Sequence, residues 1–340
     1  MQRSDRRMAK HSTINWDTFP KDKRLERVAD IFVDRTSTQN IEKRLAKIRS
    51  DRLIAAEPTC MIITGETGVG KTTFLKRYRD MHGAEYRDEN NNIVRPVFYL
   101  SLQARSTPLT TAQQMVSQLV SPTVAKGGLK NLTDLVKHHL LAQRVELVIC
   151  DEFQHIVKSG GSISTYQAAE WVKEVVKDTR VPFVMAGMPG HDGVAAIIDN
   201  NDQLKSLTPF RTAITPFEYD SVVLRDDFRQ FLAEVDNKLP FNSFSYLGQP
   251  SQRTDQDVMI SGISDGIYSI THGYLRPLNL LLREAAEIAI DNDHSRIEVT
   301  DLRDAVEELA LLSDWCQAPN PFKLMSNIYD ESDEDVASAA

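Results

Sequence analysis

The chain has 340 residues, of which 41% are hydrophobic, and a formal net charge of −8. This length predicts one large or two modest domains, and the apolar share is sufficient for a buried core. No apolar run reaches the ~18 residues that a membrane-spanning helix needs. The arginines near the N-terminus have no apolar stretch behind them, so they do not form a secretory signal. We therefore expect a cytoplasmic protein that does not contact membranes.

Charge is distributed unevenly along the chain. Residues 1–57 carry 14 basic and 9 acidic side chains, whereas the last eleven residues carry five acidic side chains and no basic one. A basic head and an acidic tail predict separate partners at the two ends. Two solvated, frayed termini are the alternative explanation of the same pattern.

The first part of the chain alternates between apolar runs of strand length and stretches of helical periodicity. Residues 1–24 predict a polar, basic arm, and residues 25–52 predict two helical pieces separated at residues 36–40. The predicted strands are residues 59–64, 95–102, 145–150 and 181–186, and the predicted helices are residues 71–82, 112–120, 129–142 and 166–178. Strands that alternate with helices predict an α/β domain with a parallel sheet, whose ligand lies at the carboxyl ends of the strands.

The pattern becomes helical after residue 218. Helical periodicity covers residues 226–235, 257–271, 277–291 and 300–312, with a long polar loop at residues 238–255. This pattern predicts a helical lid that follows the α/β body. The predicted domains are a basic arm at residues 1–24, an α/β core with N-terminal helices at 25–218, a helical lid at 219–314 and an acidic tail at 315–340.

A glycine-rich motif lies between the first predicted strand and the helix after it. Residues 65–72 match the P-loop pattern G-x-x-x-x-G-K-[ST] in full. Its glycines let backbone N–H groups point at phosphate oxygens, and the following helix adds the positive end of its dipole. We expect Lys71 to bind the β- and γ-phosphates of ATP, and Thr72 to bind Mg²⁺. The expected nucleotide-binding residues are Gly65, Glu66, Thr67, Gly68, Val69, Gly70, Lys71, Thr72 and Thr73.

Two carboxylates end the third predicted strand. Asp151 and Glu152 follow the apolar run Leu-Val-Ile-Cys. Asp151 is expected to hold Mg²⁺ through water, and Glu152 to polarise the water that attacks the γ-phosphate. An Asp-Glu pair is also common at solvated strand ends, but its place at the end of a buried strand in a P-loop domain favours the catalytic interpretation.

Two arginines further along the chain are in positions that suit contact with a nucleotide. Arg211 is predicted in a loop without an evident ion-pair partner, from which it could reach the γ-phosphate of a neighbouring subunit as an arginine finger. An ordinary surface arginine is the alternative, and Lys205 is the reserve candidate for the finger. Arg276 begins a helix, where the dipole disfavours a cation, so a bound nucleotide would explain its position.

The end of the fourth predicted strand lacks a polar side chain. Many P-loop ATPases place a polar residue there to contact the γ-phosphate, but this chain has Gly187 and Met188. Either a backbone group takes that role, or hydrolysis is slow and serves as a timer.

Together these motifs resemble those of an AAA+ ATPase, which has a P-loop, a late Asp-Glu strand, an arginine after the sheet and Gly-x-x-Arg at the head of a helical lid. The finer pattern resembles the TnsC/TniB-type ATP-dependent transposition regulators and spans residues 20–312. The absence of a polar residue at Gly187 and Met188 departs from the ATPase pattern. The residues that carry the resemblance are Asp151–His155, Ala186–Pro189, Asp202–Leu204, Phe210–Arg211 and Gly273–Pro277.

That resemblance implies a homo-oligomer, a ring or a helical filament, which assembles with ATP around double-stranded DNA. The assembly would receive a target-selection adaptor, CRISPR-linked in some elements of this type, and would activate transposase subunits. The segment Asn320–Phe322 with the acidic end is the expected transposase contact, with a disordered tail as the alternative. The candidate DNA-binding residues are Arg105, Thr110, Thr111 and Lys126, each of which could also be an ordinary loop residue.

The sequence is therefore interpreted as a Mg²⁺-dependent ATPase with slow, regulatory hydrolysis that links target selection to a transposase on DNA. One alternative is a replication initiator or helicase loader of the same superfamily, which would normally carry a winged helix or another DNA-reading domain. A second alternative is a nucleotide-dependent signalling switch that binds proteins and no DNA. The basic arm and Arg105 argue against that switch.

Overall fold

The computed structural model describes residues 14–156, 161–190, 193–199, 202–249, 252–253, 259–260, 262–309, 319–323 and 325. The chain forms two compact units. The central unit comprises residues 36–215, and the terminal unit combines the chain up to Arg35 with the chain from Pro216 onward. The central unit is thus continuous in sequence, whereas the terminal unit is built from segments on both sides of it.

Helices and strands are numbered in chain order. The strands are β1 (Met61–Thr64), β2 (Tyr86–Arg87), β3 (Ile93–Val94), β4 (Val97–Ser101), β5 (Leu147–Asp151), β6 (Phe183–Gly187), β7 (Phe210–Ala213), β8 (Gln252–Arg253) and β9 (Met259–Ile260). The helices are α1 (Lys21–Ala29), α2 (Thr36–Asp51), α3 (Lys71–His82), α4 (Pro108–Leu119), α5 (Leu129–Ala142), α6 (Gly161–Thr179), α7 (Val194–Asp199), α8 (Asp202–Leu207), α9 (Val222–Lys238), α10 (Ile263–Thr271), α11 (Leu275–Asp291) and α12 (Val299–Glu308). Short 3-10 helices lie at Trp16–Thr18 and Phe153–Ile156. Within the described residues, none of the helices is long and apolar enough to cross a membrane.

A parallel sheet forms the middle of the central unit. Among the described residues it has five strands in the order β4-β5-β6-β1-β7. Strands β5 and β6 are buried along their whole length, because each is a continuous apolar run of the kind that is covered on both faces. Met115, Val136 and Val172 bring α4, α5 and α6 into the same core. The predicted α/β fold with a parallel sheet is confirmed.

Some predicted helix and strand boundaries in the central unit agree with the structure, and others differ from it. Helices α3 and α5 have the predicted bounds. The break between the first two helices lies at residues 30–35, not at 36–40, because α2 begins at Thr36. The predicted loop around Arg211 is instead the strand β7, which pairs with β1 at the edge of the sheet. The β2–β3 hairpin has no counterpart in the prediction.

The terminal unit is mainly helical. Helices α1 and α9 to α12 enclose an apolar core in which Phe228, Leu281 and Leu302 are completely buried. Helix α10 begins later than the predicted residue 257, since Met259–Ile260 pairs with Gln252–Arg253 as a short antiparallel ribbon. Helix α12 begins within one residue of its predicted start, and residues 310–312 of that prediction lie outside the described residues. The predicted helical region is otherwise confirmed.

The N-terminal segment up to Arg35 belongs to the terminal unit, whereas the prediction placed residues 25–35 in the α/β core at 25–218. The Trp16 N–H donates to Asn242 Oδ1 at 2.9 Å. The Arg35 guanidinium lies over the Phe217 ring, 3.9 Å from its centroid. Helix α1 begins at Lys21, inside the predicted arm, and residues 1–13 lie outside the described residues. These long-range contacts could not be read from local periodicity.

Phe322, in the predicted acidic tail, is packed inside the terminal unit. Phe322 is 0% exposed and belongs to the core of the terminal unit. A Cβ at Gly266 in α10 would lie 2.9 Å from Phe322 Cε1, so the ring fits closely against a glycine. Phe322 is therefore neither disordered nor exposed for contact with a transposase. Both interpretations of Asn320–Phe322 are wrong at this residue. Residues 326–340 lie outside the described residues.

Candidate nucleotide-binding site

The glycine-rich motif forms a loop between β1 and α3, at the carboxyl edge of the sheet. Gly68 and Gly70 have φ values of 90° and 91°, in the left-handed region that glycine adopts at no steric cost. Gly65 is required for a different reason, because a Cβ at this position would lie only 2.8 Å from the Ile214 carbonyl oxygen. The loop thus has the backbone of a concave cradle for an anion.

The loop ends at the N-terminus of α3, where backbone donors face a prospective anion. Helix α3 begins after Gly70, which provides no side-chain cap. The first N–H groups of a helix lack intrahelical partners and favour negative charge. The Lys71 side chain is buried, and its ammonium donates to the Gly65 carbonyl oxygen at 3.1 Å. Of the other predicted residues, Val69 is buried, whereas Glu66, Thr67 and Thr73 are exposed.

Asp151 lies at the end of β5, beside the start of α3. It is 0% exposed. Its Oδ2 accepts hydrogen bonds from Thr72 Oγ1 at 2.6 Å and from Tyr99 Oη at 3.0 Å. Among the described residues, no cationic side chain forms an ion pair with this carboxylate. Because buried charges are normally paired or coordinate a metal, Asp151 with the Thr72 hydroxyl fits a divalent cation such as Mg²⁺.

Tyr99, on β4, is a site residue that the sequence interpretation missed. Its ring lies near two cations, Lys76 Nζ at 5.9 Å and the Arg79 guanidinium at 5.6 Å from the ring centroid. Burial raises the pKa of the Tyr99 phenol, and the neighbouring Asp151 carboxylate raises it further. The phenol therefore stays protonated and donates to Asp151. A tyrosine in a predicted strand gives no local signal of this contact.

Glu152 begins the turn after β5 in a conformation uncommon for a residue with a side chain. Its φ is 56°, in the left-handed region. The turn is fixed by two hydrogen bonds, from the Glu152 N–H to Asp151 Oδ1 at 2.9 Å and from the His155 N–H to the Glu152 carbonyl at 2.9 Å. The Glu152 carboxylate is partly exposed and accepts a hydrogen bond from Gln154 Nε2. Gln154 was not assigned a role from the sequence, although it follows the Asp-Glu pair.

Arg211 is placed differently from the prediction. It lies on β7, and its Nη1 is 2.7 Å from Asp199 Oδ1 at the end of α7. The prediction of a loop arginine without an ion-pair partner is therefore wrong. Both side chains are partly exposed, at 36% and 44%, so solvent weakens this ion pair and it can exchange. Lys205, the reserve candidate, is exposed on α8.

Arg276 lies in the terminal unit. It is the second residue of α11, whose N-cap is Tyr274, and its side chain is exposed. The predicted position at the start of a helix is thus confirmed. A cation here opposes the positive end of the helix dipole. Contact with a nucleotide stays a prediction.

The four candidate DNA-binding residues have different surroundings. Arg105 is exposed, with a left-handed φ of 64°, and Lys126 is exposed in the segment before α5. Thr110 is exposed, but its hydroxyl is engaged with Thr107 in the capping box of α4. Thr111 is only 1% exposed, so its side chain does not lie at the surface. A role for Thr111 in contacting DNA therefore does not fit the structure.

Several solved structures have a similar fold. ORC2 of Aeropyrum pernix, as ADPNP–ADP complexes, gives a TM-score of 0.57 at 18% identity over 83% of this chain and 71% of that chain. Cdc6p of Pyrobaculum aerophilum gives 0.54 at 14% identity, over 83% and 70%. ORC1 of Aeropyrum pernix, in complex with DNA, gives 0.51 at 17% identity, over 84% and 69%. At these identities the likeness shows the fold, which is that of an AAA+ P-loop protein with a helical C-terminal region.

Comparison of the sequence with known proteins identifies the family. No curated protein is significantly similar to the chain. The sequence model described as "Bacterial TniB protein" matches residues 24–211. This match covers more than half of the chain, including the P-loop, Asp151, Glu152 and Arg211, and it agrees with the resemblance that those motifs carry. The chain therefore belongs to the TniB family.

Proposed function

We propose that this protein is an ATP-dependent regulator of DNA transposition that oligomerises on double-stranded DNA and links a target-selection complex to a transposase. The observation that carries the proposal is the buried Asp151 carboxylate, which lacks an ion pair among the described residues and lies against Thr72 at the foot of an anion-binding loop. Membership of the TniB family supports the connection to transposition.

The proposed reaction is hydrolysis of ATP. The loop N–H groups and Lys71 would bind the β- and γ-phosphates, and Thr72 and Asp151 would hold Mg²⁺, with Asp151 acting through water. The cation would neutralise charge that develops on the phosphates. Glu152 would then orient the attacking water and accept its proton. Slow turnover would let the bound nucleotide set the lifetime of an assembly.

The proposed assembly places each ATP at a joint between two copies. Arg211 would leave Asp199 and reach the γ-phosphate of the neighbouring copy, which stabilises charge in the transition state. The position of β7 at the edge of the sheet and the exposure of the Arg211–Asp199 pair support this exchange. Arg276 stays a proposed nucleotide contact on the strength of the resemblance alone.

Binding to DNA is proposed to arise from few contacts per copy. Arg105 and Lys126 are exposed cations that could bind backbone phosphates. With a net charge of −8, one copy would bind DNA weakly, and linked copies would gain affinity through avidity. The similar ORC1 structure contains DNA, which supports DNA as the partner class. The further proposed partners are the transposase subunits and a target-selection adaptor of the CRISPR-linked type.

Electron microscopy of the purified protein tests this function. We expect rings or filaments with ATP and duplex DNA together, and none with either alone. Lys71→Ala removes the phosphate-binding ammonium and should abolish both nucleotide binding and assembly. Glu152→Gln keeps the shape of the side chain but removes the base, so it should slow ATP turnover by roughly 10²- to 10⁴-fold and leave assemblies trapped with ATP. A monomer that binds ATP but is indifferent to DNA would contradict the proposal and favour the signalling switch.

A further inference from the structure

The Gln154 side chain connects the Glu152 carboxylate to the end of β6 through hydrogen bonds. Gln154 is 3% exposed, and its Nε2 donates to Glu152 Oε2. Its Oε1 accepts from the Met188 N–H at 3.2 Å. One amide thus joins the turn after β5 to the turn after β6. The residues it joins are Glu152, the proposed catalytic base, and the segment that lacks a polar side chain.

The two partners of Gln154 demand the same orientation of the amide. A backbone N–H can only donate, so the Gln154 oxygen must face Met188. An ionised carboxylate can only accept, so the amide nitrogen must face Glu152. A flipped amide would lose both hydrogen bonds and place two acceptors together. The amide is therefore locked, and it fixes one oxygen of Glu152 while the other stays available.

Gly187 provides the space that this arrangement needs. A Cβ at Gly187 would lie 2.0 Å from Gln154 Oε1 and 2.4 Å from Val194 Cγ2. Such distances exclude any side chain while Gln154 keeps its position. The φ of Gly187 is not in the left-handed region, so packing and not backbone conformation requires the glycine. The ATPase pattern has a polar residue at the end of β6 where this chain has Gly187. The Gln154 amide fills the space that a side chain at position 187 would need.

A second contact connects this group to the P-loop. Thr67 Oγ1 donates to Met188 Sδ at 3.4 Å, and the Gly65 N–H donates to the Gly187 carbonyl oxygen at 3.1 Å. The residues next to the prospective phosphates therefore touch the same two residues that hold Gln154. A shift of this loop when a nucleotide binds would reach Glu152 through Met188 and Gln154.

We propose that Gln154 is a positioning residue for Glu152, and that its amide occupies the space left free by the absent side chain at Gly187. The inference rests on the proposed hydrolysis of ATP. Gln154 holds the Glu152 carboxylate at a fixed angle in its strained turn, so the free oxygen points consistently at the attacking water. Its removal should lower kcat and leave the affinity for ATP unchanged.

The test compares two substitutions at Gln154 with the same substitution at another buried glutamine. Gln154→Leu removes both hydrogen bonds at similar volume, and Gln154→Glu replaces the donor with a second carboxylate. Gln143, which is 7% exposed and donates to the Leu119 carbonyl oxygen at 2.6 Å, provides the control Gln143→Leu. We expect both Gln154 variants to lower kcat by roughly 10- to 100-fold, the range for residues that orient a functional group. The KM for ATP and the binding of a fluorescent ATP analogue should stay at the wild-type level, and Gln143→Leu should keep the wild-type kcat.

The outcomes separate this inference from the proposed function. If the wild type hydrolyses ATP and Glu152→Gln does not, but both Gln154 variants retain full kcat, Gln154 does not position Glu152. An equal fall in kcat for Gln143→Leu would also overturn the inference, because generic destabilisation would explain both. If neither the wild type nor any variant turns over ATP while all bind it, the proposed hydrolysis itself fails. Should Gln154→Leu not fold, the nearly isosteric Gln154→Glu still decides the question, with folding checked by analogue binding.

Discussion

The two units use buried carboxylates in different ways. In the central unit, Asp151 Oδ2 accepts hydrogen bonds from the hydroxyl groups of Thr72 and Tyr99, and its Oδ1 accepts from the Glu152 N–H. In the terminal unit, Asp236 accepts from the Ser245 N–H at 2.9 Å, and Asp301 accepts from the Glu298 N–H at 2.8 Å. All three carboxylates are at most 2% exposed. Burial and a backbone donor are therefore common to both units. The difference lies at Asp151 Oδ2, whose donors among the described residues are two hydroxyl groups.

We propose that this difference separates a cation-binding carboxylate from a structural one. A hydroxyl can rotate away when a cation arrives, whereas a backbone N–H cannot leave without unfolding its segment. Asp301 also lies 3.0 Å from His294 Nδ1. Burial raises the pKa of Asp301, and the hydrogen bonds from the Glu298 N–H and from His294 partly offset that rise. Asp301 thus ties the start of α12 to the preceding turn, whereas we propose that Asp151 binds a cation.

The arginines show the same contrast. Arg24 of the terminal unit is buried, with its guanidinium 5.1 Å from the centroid of the Phe241 ring and its Nε donating to the Pro240 carbonyl oxygen at 3.2 Å. Arg211 of the central unit has a partly exposed aspartate as its partner. A guanidinium fixed by backbone and ring is structural, and one paired with an exchangeable carboxylate can change partners.

The largest expected effect tests whether Arg211 does change partners. Arg211→Ala should lower ATP turnover in the assembled state by about 10³-fold or more, the range for loss of an arginine finger. ATP binding by the dilute protein should be retained, because the finger acts on the neighbouring copy. Steady-state ATPase assays with and without assembly on duplex DNA provide the measurement. The matched control is Asp199→Asn, which breaks the same ion pair but leaves the arginine and should preserve turnover. Unchanged turnover in the assembled Arg211→Ala protein would show that the finger is assigned wrongly.

A smaller effect is expected at Asp151. Asp151→Asn removes the negative charge and keeps one acceptor oxygen for Thr72 and Tyr99, but its amide nitrogen then faces the Glu152 N–H. The affinity for ATP in the presence of Mg²⁺ should fall by roughly 10- to 100-fold. Stability against denaturant without nucleotide should change little, because removal of a buried charge that lacks an ion pair among the described residues offsets the lost hydrogen bond from the Glu152 N–H. Calorimetric titration with and without Mg²⁺, together with urea unfolding, measures both. Lower stability with unchanged Mg²⁺-dependent binding would make Asp151 structural and erase the contrast between the units.

The opposite result is expected at Asp301. Asp301→Ala leaves the Glu298 N–H without its acceptor and removes the partner of His294, so it should lower the free energy of unfolding by about 1–3 kcal/mol. Binding of ATP should be unaffected. Urea unfolding gives the loss, and hydrogen exchange should locate it in α12. Thr300→Ala, a change in the same turn, serves as the control. A variant as stable as the wild type would mean that this carboxylate is dispensable to the fold.

Features governed by neighbouring residues were predictable from the sequence. The bounds of α3 and α5 follow from glycines on their flanks and from apolar periodicity within them. The P-loop was predictable because its chemistry is contained in eight consecutive residues. The start of α2 was not, since its first turn is polar and only Thr38 in it is buried. Strand β7 alternates between partly buried and exposed residues over four positions, too few to distinguish an edge strand from a loop.

Features that depend on distant residues were not predictable. Gln154 obtains its role from Met188, which is 34 residues away. The glycine at position 187 is evident in the sequence, but the reason for it depends on the side chain that fills the space beside it. The ion pair of Arg211 likewise depends on where α7 ends. The sequence thus predicts candidate residues for the proposed chemistry, and the fold determines which of them are in contact.

The discontinuity of the terminal unit has a consequence for synthesis on the ribosome. The Trp16 N–H is hydrogen-bonded to Asn242, which is synthesised 226 residues later. At roughly 5–20 residues per second, the N-terminal segment waits between about ten and fifty seconds for that partner. The central unit is complete once residue 215 has emerged, so it can fold before the terminal unit. Val28 and the rest of the apolar face of α1 stay uncovered until the helices after residue 216 emerge, so the N-terminal segment folds only together with the C-terminal part of the chain.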